Sequence, residues 1–313
     1  MKKKVLQLAG LPAPLMSALQ EAYEVVEYST LSDRDFSGIA GEFEVVLTNG
    51  EGVVTREQIA ALPALKLIAV FGVGYDGVDV QAARDHQVKV SHTPDVLTED
   101  VADLAIGLML ATSRQIPAAQ TFIEQGKWSQ GSFPWTRKVS GAALGIVGLG
   151  RIGQAVAQRA QAFAMSIAYC NRSPLKDVAY RYQPDVVALA KECDFLLVCA
   201  PGTASNRHLI NRDVLDALGS DGILVNVGRG SVVDEQALIA ALDAGTLGGA
   251  GLDVFSDEPR VPAALQHRPN VVLTPHMASA TWATRKAMSQ LVLDNVAAFY
   301  NGSPLVSPVP ESR

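Results

Sequence analysis

Cysteine is scarce: three in 313 residues, Cys170, Cys193 and Cys199, with no C-x-x-C spacing. An odd number of thiols in or beside apolar runs gives no disulfide framework and reads as reduced core residues of a cytoplasmic protein. No cluster of His, Cys and carboxylate residues has ligand spacing, so no metal is expected. Long apolar runs are also missing; the block from Leu104 to Ala111 falls far short of the ~20 residues that span a bilayer. The start, Met1-Lys2-Lys3-Lys4-Val5-Leu6, has the charge of a secretory leader. Its apolar stretch breaks at Gln7 and meets Gly10 and Pro12, so it reads as a first β-strand. Nor is there an excess of positive charge: 26 Lys+Arg against 32 Asp+Glu leave −6. No global field draws in nucleic acid or an anionic membrane, and any bound anion must be held locally. There is no low-complexity tract and no repeat of fixed period.

What is present is an ordinary globular composition, 48% hydrophobic and 19% charged, over a length that allows two domains. Lys4–Ala9, Val45–Thr48, Leu67–Phe71 and Val88–Ser91 read as strands, with helices at Pro14–Glu21, Thr55–Leu62 and Val78–His86 between them. A long helix starting near Thr98 interrupts this series. A second series follows, with strands at Ala143–Val147, Ser166–Cys170, Asp194–Cys199, Gly222–Val227 and Ala250–Val254. The expected fold is α/β: two lobes with parallel sheets, Rossmann-like or flavodoxin-like, and a site in the cleft between them. The last helix, Trp282 to Tyr300, is long enough to return to the first lobe. That lobe is therefore expected to be discontinuous, 1–98 plus 288–313, with 99–287 as the second.

Gly148-Leu149-Gly150-Arg151-Ile152-Gly153 matches G-x-G-x-x-G, and it follows a strand and opens a helix, Gln154 to Phe163. That setting is the one a dinucleotide needs: a tight turn at Gly148, close backbone approach at Gly150 and helix–strand packing at Gly153. Amides at the helix start meet the pyrophosphate. About 20 residues on, an NAD site ends its second strand in Asp or Glu. Here that strand ends in Asn171-Arg172-Ser173. Arg172 suits a 2′-phosphate, and Asn171 and Ser173 add hydrogen bonds, so NADP(H) is expected over NAD(H).

Three more segments stand at predicted strand ends, where open α/β sheets place ligands. They are Asn226-Val227-Gly228-Arg229-Gly230, Asp253-Val254-Phe255-Ser256-Asp257-Glu258-Pro259 and Thr274-Pro275-His276-Met277-Ala278-Ser279-Ala280. With the glycine turn, they resemble the D-isomer-specific 2-hydroxyacid dehydrogenases over nearly the whole chain. Thr93 to Asp103 carries a closer match to the glyoxylate/hydroxypyruvate reductases, together with the plant hydroxyphenylpyruvate and bacterial 2-ketogluconate reductases. The chemistry fits those residue types. Reducing a 2-oxo acid needs a hydride donor, an acid and a cation. His276 suits the acid, since imidazole titrates near working pH. Glu258 would hold the imidazolium form. Arg229 would bind the carboxylate or carbonyl oxygen and stabilise its developing charge.

By the same resemblance, Pro201, Val227, Asp253 and Ala278 line the cofactor, Asp253 and Ala278 near the nicotinamide. Met277-Ala278 stands where the family usually has Ile-Gly or Val-Gly. In the first lobe, Phe71 to Asp79 resembles the substrate loop, with the amides of Val73 and Gly74 binding the carboxylate as an anion nest. Thr48-Asn49-Gly50 ends another strand on that edge. His86, His92, His208 and His267 lack any comparable setting and read as surface or core residues. The segment from Gly126 to Thr136 is aromatic and loop-like. In related reductases this region reaches across a homodimer, where Trp135 would close the neighbour's site or lie buried in the contact. The resemblance implies an NADPH-dependent reductase of glyoxylate and hydroxypyruvate, with bulkier acids such as 2-ketogluconate or hydroxyphenylpyruvate as the alternative. Nucleotide-sensing corepressors also resemble the family, but no basic patch or long tail supports that role.

Overall fold

The computed structural model describes residues 2–312. In chain order the elements begin with β1 (Lys4–Gln7), α1 (Ala13–Ala22), β2 (Glu24–Glu27), α2 (Asp33–Ile39), β3 (Val45–Asn49), α3 (Arg56–Ala60), β4 (Leu67–Phe71), α4 (Val80–Asp85) and β5 (Lys89–Ser91). Then come α5 (Thr98–Ser113), α6 (Ile116–Glu124), β6 (Ala143–Val147), α7 (Arg151–Gln161), β7 (Ser166–Cys170), β8 (Arg181–Tyr182), α8 (Val186–Lys191) and β9 (Phe195–Val198). Last are α9 (Arg212–Leu218), β10 (Ile223–Asn226), α10 (Glu235–Ala244), β11 (Gly249–Leu252), β12 (Val271–Leu273) and α11 (Trp282–Tyr300). The chain divides into two units: one runs to Leu97 and resumes at Thr281, the other is Thr98–Ala280.

The first unit holds a five-stranded parallel sheet in the order β2-β1-β3-β4-β5, a flavodoxin-like order. Leu6, Val46, Ile68 and Val90 form its core with Ile59 and Ala82 from the helices. α3 is short but firmly started, with a capping box between Thr55 and Gln58. α11 covers β4 and buries Thr284, Met288, Val292, Asn295 and Val296, a stripe at helical spacing. Beyond α11 the chain runs back along β5: Pro308 bridges Ser91 antiparallel, and the fully buried Val309 donates its amide to Val90 O at 2.9 Å.

The expected boundary at 288 falls within α11. Thr281 caps that helix, its Oγ1 accepting from Thr284 N at 3.2 Å, and one continuous buried stripe keeps all of α11 with the first unit. Thr98, assigned to the first lobe from sequence, starts α5 and goes with the second. β2, α2 and β8 were not expected, and β12, implied by the strand end before Thr274, was given no bounds from sequence. β2 is an edge strand with exposed Glu24 and Glu27 at its ends, and β8 and β12 are two and three residues long.

The second unit carries a seven-stranded parallel sheet, β12-β11-β10-β9-β6-β7-β8. Counted from β6, this is the dinucleotide-fold order 3-2-1-4-5-6 with a seventh strand added. The order reverses between β6 and β9, and the loops leaving those strands mark the switch point where such sheets bind ligands. No helix among the described residues is long and apolar enough to cross a membrane.

Candidate active site

At the switch point, the three glycines of the turn after β6 have three different environments. Gly148 has φ +95°, a conformation L side chains rarely adopt, and a Cβ there would fall 2.8 Å from Ala200 N in the loop after β9. A Cβ on Gly153 would lie 2.5 Å from Gly148 O, so its absence lets α7 sit on the turn. A Cβ on Gly150 would meet nothing within 4 Å. Gly150 is also the N-cap of α7 and offers no side chain to the first amides of that helix. The result is a cradle of helix-start amides with open space at its middle glycine, which fits a pyrophosphate. Arg151 and Ile152 open α7, Arg151 exposed and Ile152 half-buried.

The loop after β7 is held from three sides. Asn171 Oδ1 accepts from Leu149 N at 2.8 Å, Tyr182 Oη donates to Asn171 O at 3.1 Å, and Leu175 N donates to Tyr169 Oη at 2.8 Å. Asn171, read as a donor to the cofactor, thus spends its carbonyl on the glycine turn and keeps its amide nitrogen as donor. Arg172 and Ser173 are exposed, and Arg172 has no ion pair among the described residues.

The loops after β10 and β11 are pressed together. Asn226 bends the first: its Oδ1 accepts from Gly228 N at 3.0 Å and its Nδ2 donates to Arg229 O at 3.0 Å. A polar Asn two residues before a glycine is an Asx-turn signal, and it could have been read from sequence. Arg229 is half-buried and donates from Nη1 to Gly228 O at 2.9 Å. A Cβ on Gly230 would fall 1.9 Å from the carbonyl carbon of Phe255, so only glycine fits against that loop. Pro201 follows Ala200, whose carbonyl would lie 2.7 Å from a Cβ on Gly228, and Val227 is buried with its amide on Val198 O.

The loop after β12 carries the imidazole. His276 has φ +47°, unusual for a residue with a side chain. Its amide is held by Asp253 O at 2.8 Å, and the fully buried Asp253 carboxylate takes Thr274 Oγ1 at 2.6 Å, Met277 N at 2.9 Å and Ala278 N at 3.0 Å. Burial pushes the Asp253 carboxyl above the usual carboxylate range, against the pull of those bonds. The strained turn brings His276 Nδ1 to 2.6 Å from Glu258 Oε2, while Glu258 Oε1 accepts from Phe255 N at 2.8 Å. A carboxylate on Nδ1 holds the ring in one orientation.

In the first unit, the loop after β4 holds Val73 and Gly74, whose amides donate to no group among the described residues. His92 Nδ1 lies 2.9 Å from Val73 O, and its ring stands edge-on to Tyr75 at 5.2 Å. Reading His92 as an ordinary surface or core residue missed this hold on the loop; His86, His208 and His267 are exposed. Asn49 is spent on its own turn, accepting from Gly52 N at 2.7 Å and donating to Gly10 O at 3.1 Å.

Residues 106–278, over half of the chain, match the family model described as D-isomer specific 2-hydroxyacid dehydrogenase, NAD binding domain. The chain is 44% identical to glyoxylate/hydroxypyruvate reductase A of Arabidopsis thaliana, covering 97% of this chain and 98% of that relative. It is 46% identical, over the same shares, to hydroxyphenylpyruvate reductase of Plectranthus scutellarioides. Among solved structures, it is similar to NADPH-dependent glyoxylate/hydroxypyruvate reductase of Sinorhizobium meliloti in complex with NADP and malonate. That match has a TM-score of 0.92 and 43% identity, and covers 100% of this chain and 98% of that one. With an Arg, Glu and His set at the strand ends of a dinucleotide-binding sheet, the chain belongs to the D-isomer specific 2-hydroxyacid dehydrogenase family.

Proposed function

We propose that this dehydrogenase reduces small 2-oxo acids, glyoxylate and hydroxypyruvate first, to D-2-hydroxy acids with NADPH. The observation that carries the reading is the Glu258–His276 pair at 2.6 Å on a turn fixed by Asp253. The reduced nicotinamide supplies hydride when bound, and the turn from Gly148 to Gly153 with Asn171, Arg172, Ser173, Pro201, Val227, Asp253 and Ala278 would hold the cofactor. His276 gives its proton from Nε2 to the carbonyl oxygen, and Glu258 holds Nδ1 so that the imidazolium faces the substrate. Arg229 steadies the substrate's negative oxygens. The amides of Val73 and Gly74 are proposed donors to the substrate carboxylate.

The NADPH preference rests on an exposed Arg172 where an NAD site has a carboxylate. A second copy of the chain is the proposed occupant of a groove of about 750 Å³ lined by Leu110, Ile116, Phe133, Pro134 and Trp135, the last fully exposed. Light scattering tests this: Trp135→Asp should halve the particle mass of a dimer and leave that of a monomer unchanged. The 46% identical relative named for hydroxyphenylpyruvate favours bulkier acids as the second substrate reading. Loss of NADPH absorbance across glyoxylate, hydroxypyruvate, 2-ketogluconate and phenylpyruvate, repeated with NADH, decides both questions. Equal efficiency with the two cofactors removes the NADPH preference, and no turnover of any acid removes the reductase reading.

A further inference from the structure

The segment from Phe255 to Glu258 belongs to no helix or strand and passes into a turn at Ser256, yet it carries the carboxylate that meets His276. Two different carboxylates hold its adjacent amides. Glu258 itself takes Phe255 N at 2.8 Å from the His276 side. On the other side, Glu235 places Oε1 2.7 Å from Ser256 N and Oε2 2.5 Å from Ser256 Oγ. Glu235 is the first residue of α10, and Asp234 caps that helix by accepting from Gln236 N and Ala237 N at 3.1 Å each. The clamp is therefore anchored on a helix. From below, Gly230 sets the Arg229 loop directly on the Phe255 and Ser256 backbone. We propose that Glu235 is a positioning residue: its two-point hold on Ser256 fixes the segment in which Glu258 meets His276. This rests on the catalytic reading of that pair.

A carboxylate in the first turn of a helix also favours the helix dipole. The two roles separate by substitution. Glu235→Gln keeps an acceptor for Ser256 N and gains an N–H for Ser256 Oγ but loses the charge, whereas Glu235→Ala loses both contacts. Two readouts apply to the full-length protein: kcat for hydroxypyruvate with NADPH, and the titration of the His276 ring by ¹⁵N NMR without cofactor. The resonance is assigned with His276→Gln. Glu235→Ala should lower kcat about tenfold with little change in KM, short of the ~10² that a full 1 Å misplacement costs. It should also move the His276 titration to lower pH, in the direction Glu258→Gln moves it. Glu235→Gln should restore most of both. Ser256→Ala removes one of the two bonds and no charge, and should show smaller changes of the same sign; it decides the matter if Glu235→Ala fails to fold. Equal impairment by Gln and Ala, or a His276 titration unchanged in both Glu235→Ala and Ser256→Ala, overturns the proposal. The NMR reading needs no turnover, so absence of hydroxypyruvate reduction by the unaltered protein counts against the substrate alone.

Discussion

Glu258 divides its carboxylate between His276 Nδ1 at 2.6 Å and the amide of Phe255 at 2.8 Å. One oxygen is thus tied to the backbone three residues away while the other faces the ring. Removing either member of the pair should cost turnover and spare the cofactor. His276→Gln is expected to abolish most turnover, and Glu258→Gln to lower kcat about 10²-fold, the lower end for a lost acid–base function. NADPH affinity, read by fluorescence titration, should stay at its original value in both.

The preference between cofactors should follow Arg172. Arg172→Glu replaces a charge-assisted bond to the 2′-phosphate with repulsion, and losing such a bond alone costs about 1.5–3 kcal/mol. The efficiency ratio of NADPH to NADH should fall at least tenfold in steady-state kinetics, with kcat for the favoured acid little changed.

The glycines of the site should separate fold from binding. Gly230→Ala forces a Cβ to within 1.9 Å of the Phe255 carbonyl carbon, and overpacking of this kind costs about 1–3 kcal/mol or more. Thermal melting should show a clear loss. Gly150→Ala places its Cβ in open space, so the melting temperature should hold while NADPH binding weakens.

The thiols should be slow to react. Burial pushes Cys193 and Cys199 up to about 12, and Cys170 rises for the same reason. Iodoacetamide at pH 8, followed by mass spectrometry, should label the native protein slowly and the urea-unfolded protein fast. The sign for stability follows. From the ordinary thiol range up to about 12 the unfolded chain releases protons that the folded chain keeps, so stability falls as pH rises through that window.

Local, strong patterns carried the sequence reading. The turn from Gly148 to Gly153 was legible because strand, glycines and helix adjoin, and α11 was placed over Trp282 to Tyr300 by a long unbroken helical segment. The loops that carry Arg229, Glu258 and His276 were legible because each follows an apolar run read as a strand, and the family resemblance singled out the three within them. β2 was not, since two valines between glutamates make a weak pattern and its pairing with β1 supplies the rest. His92 and Glu235 escaped for a related reason. Each acts on a backbone about twenty residues away, Val73 and Ser256, and nothing in the residues around them marks that distance.

The route of the chain through the first unit also sets an order of events during synthesis. Residues 98–280 are contiguous and can bury their own core as soon as they emerge, whereas β4 waits for α11 and β5 waits for Val309. The lobe made first is therefore finished last. A nascent chain halted before Thr281 would carry a completed dinucleotide-binding unit and an unfinished apolar sheet, and exposed surface of that kind is prone to aggregate.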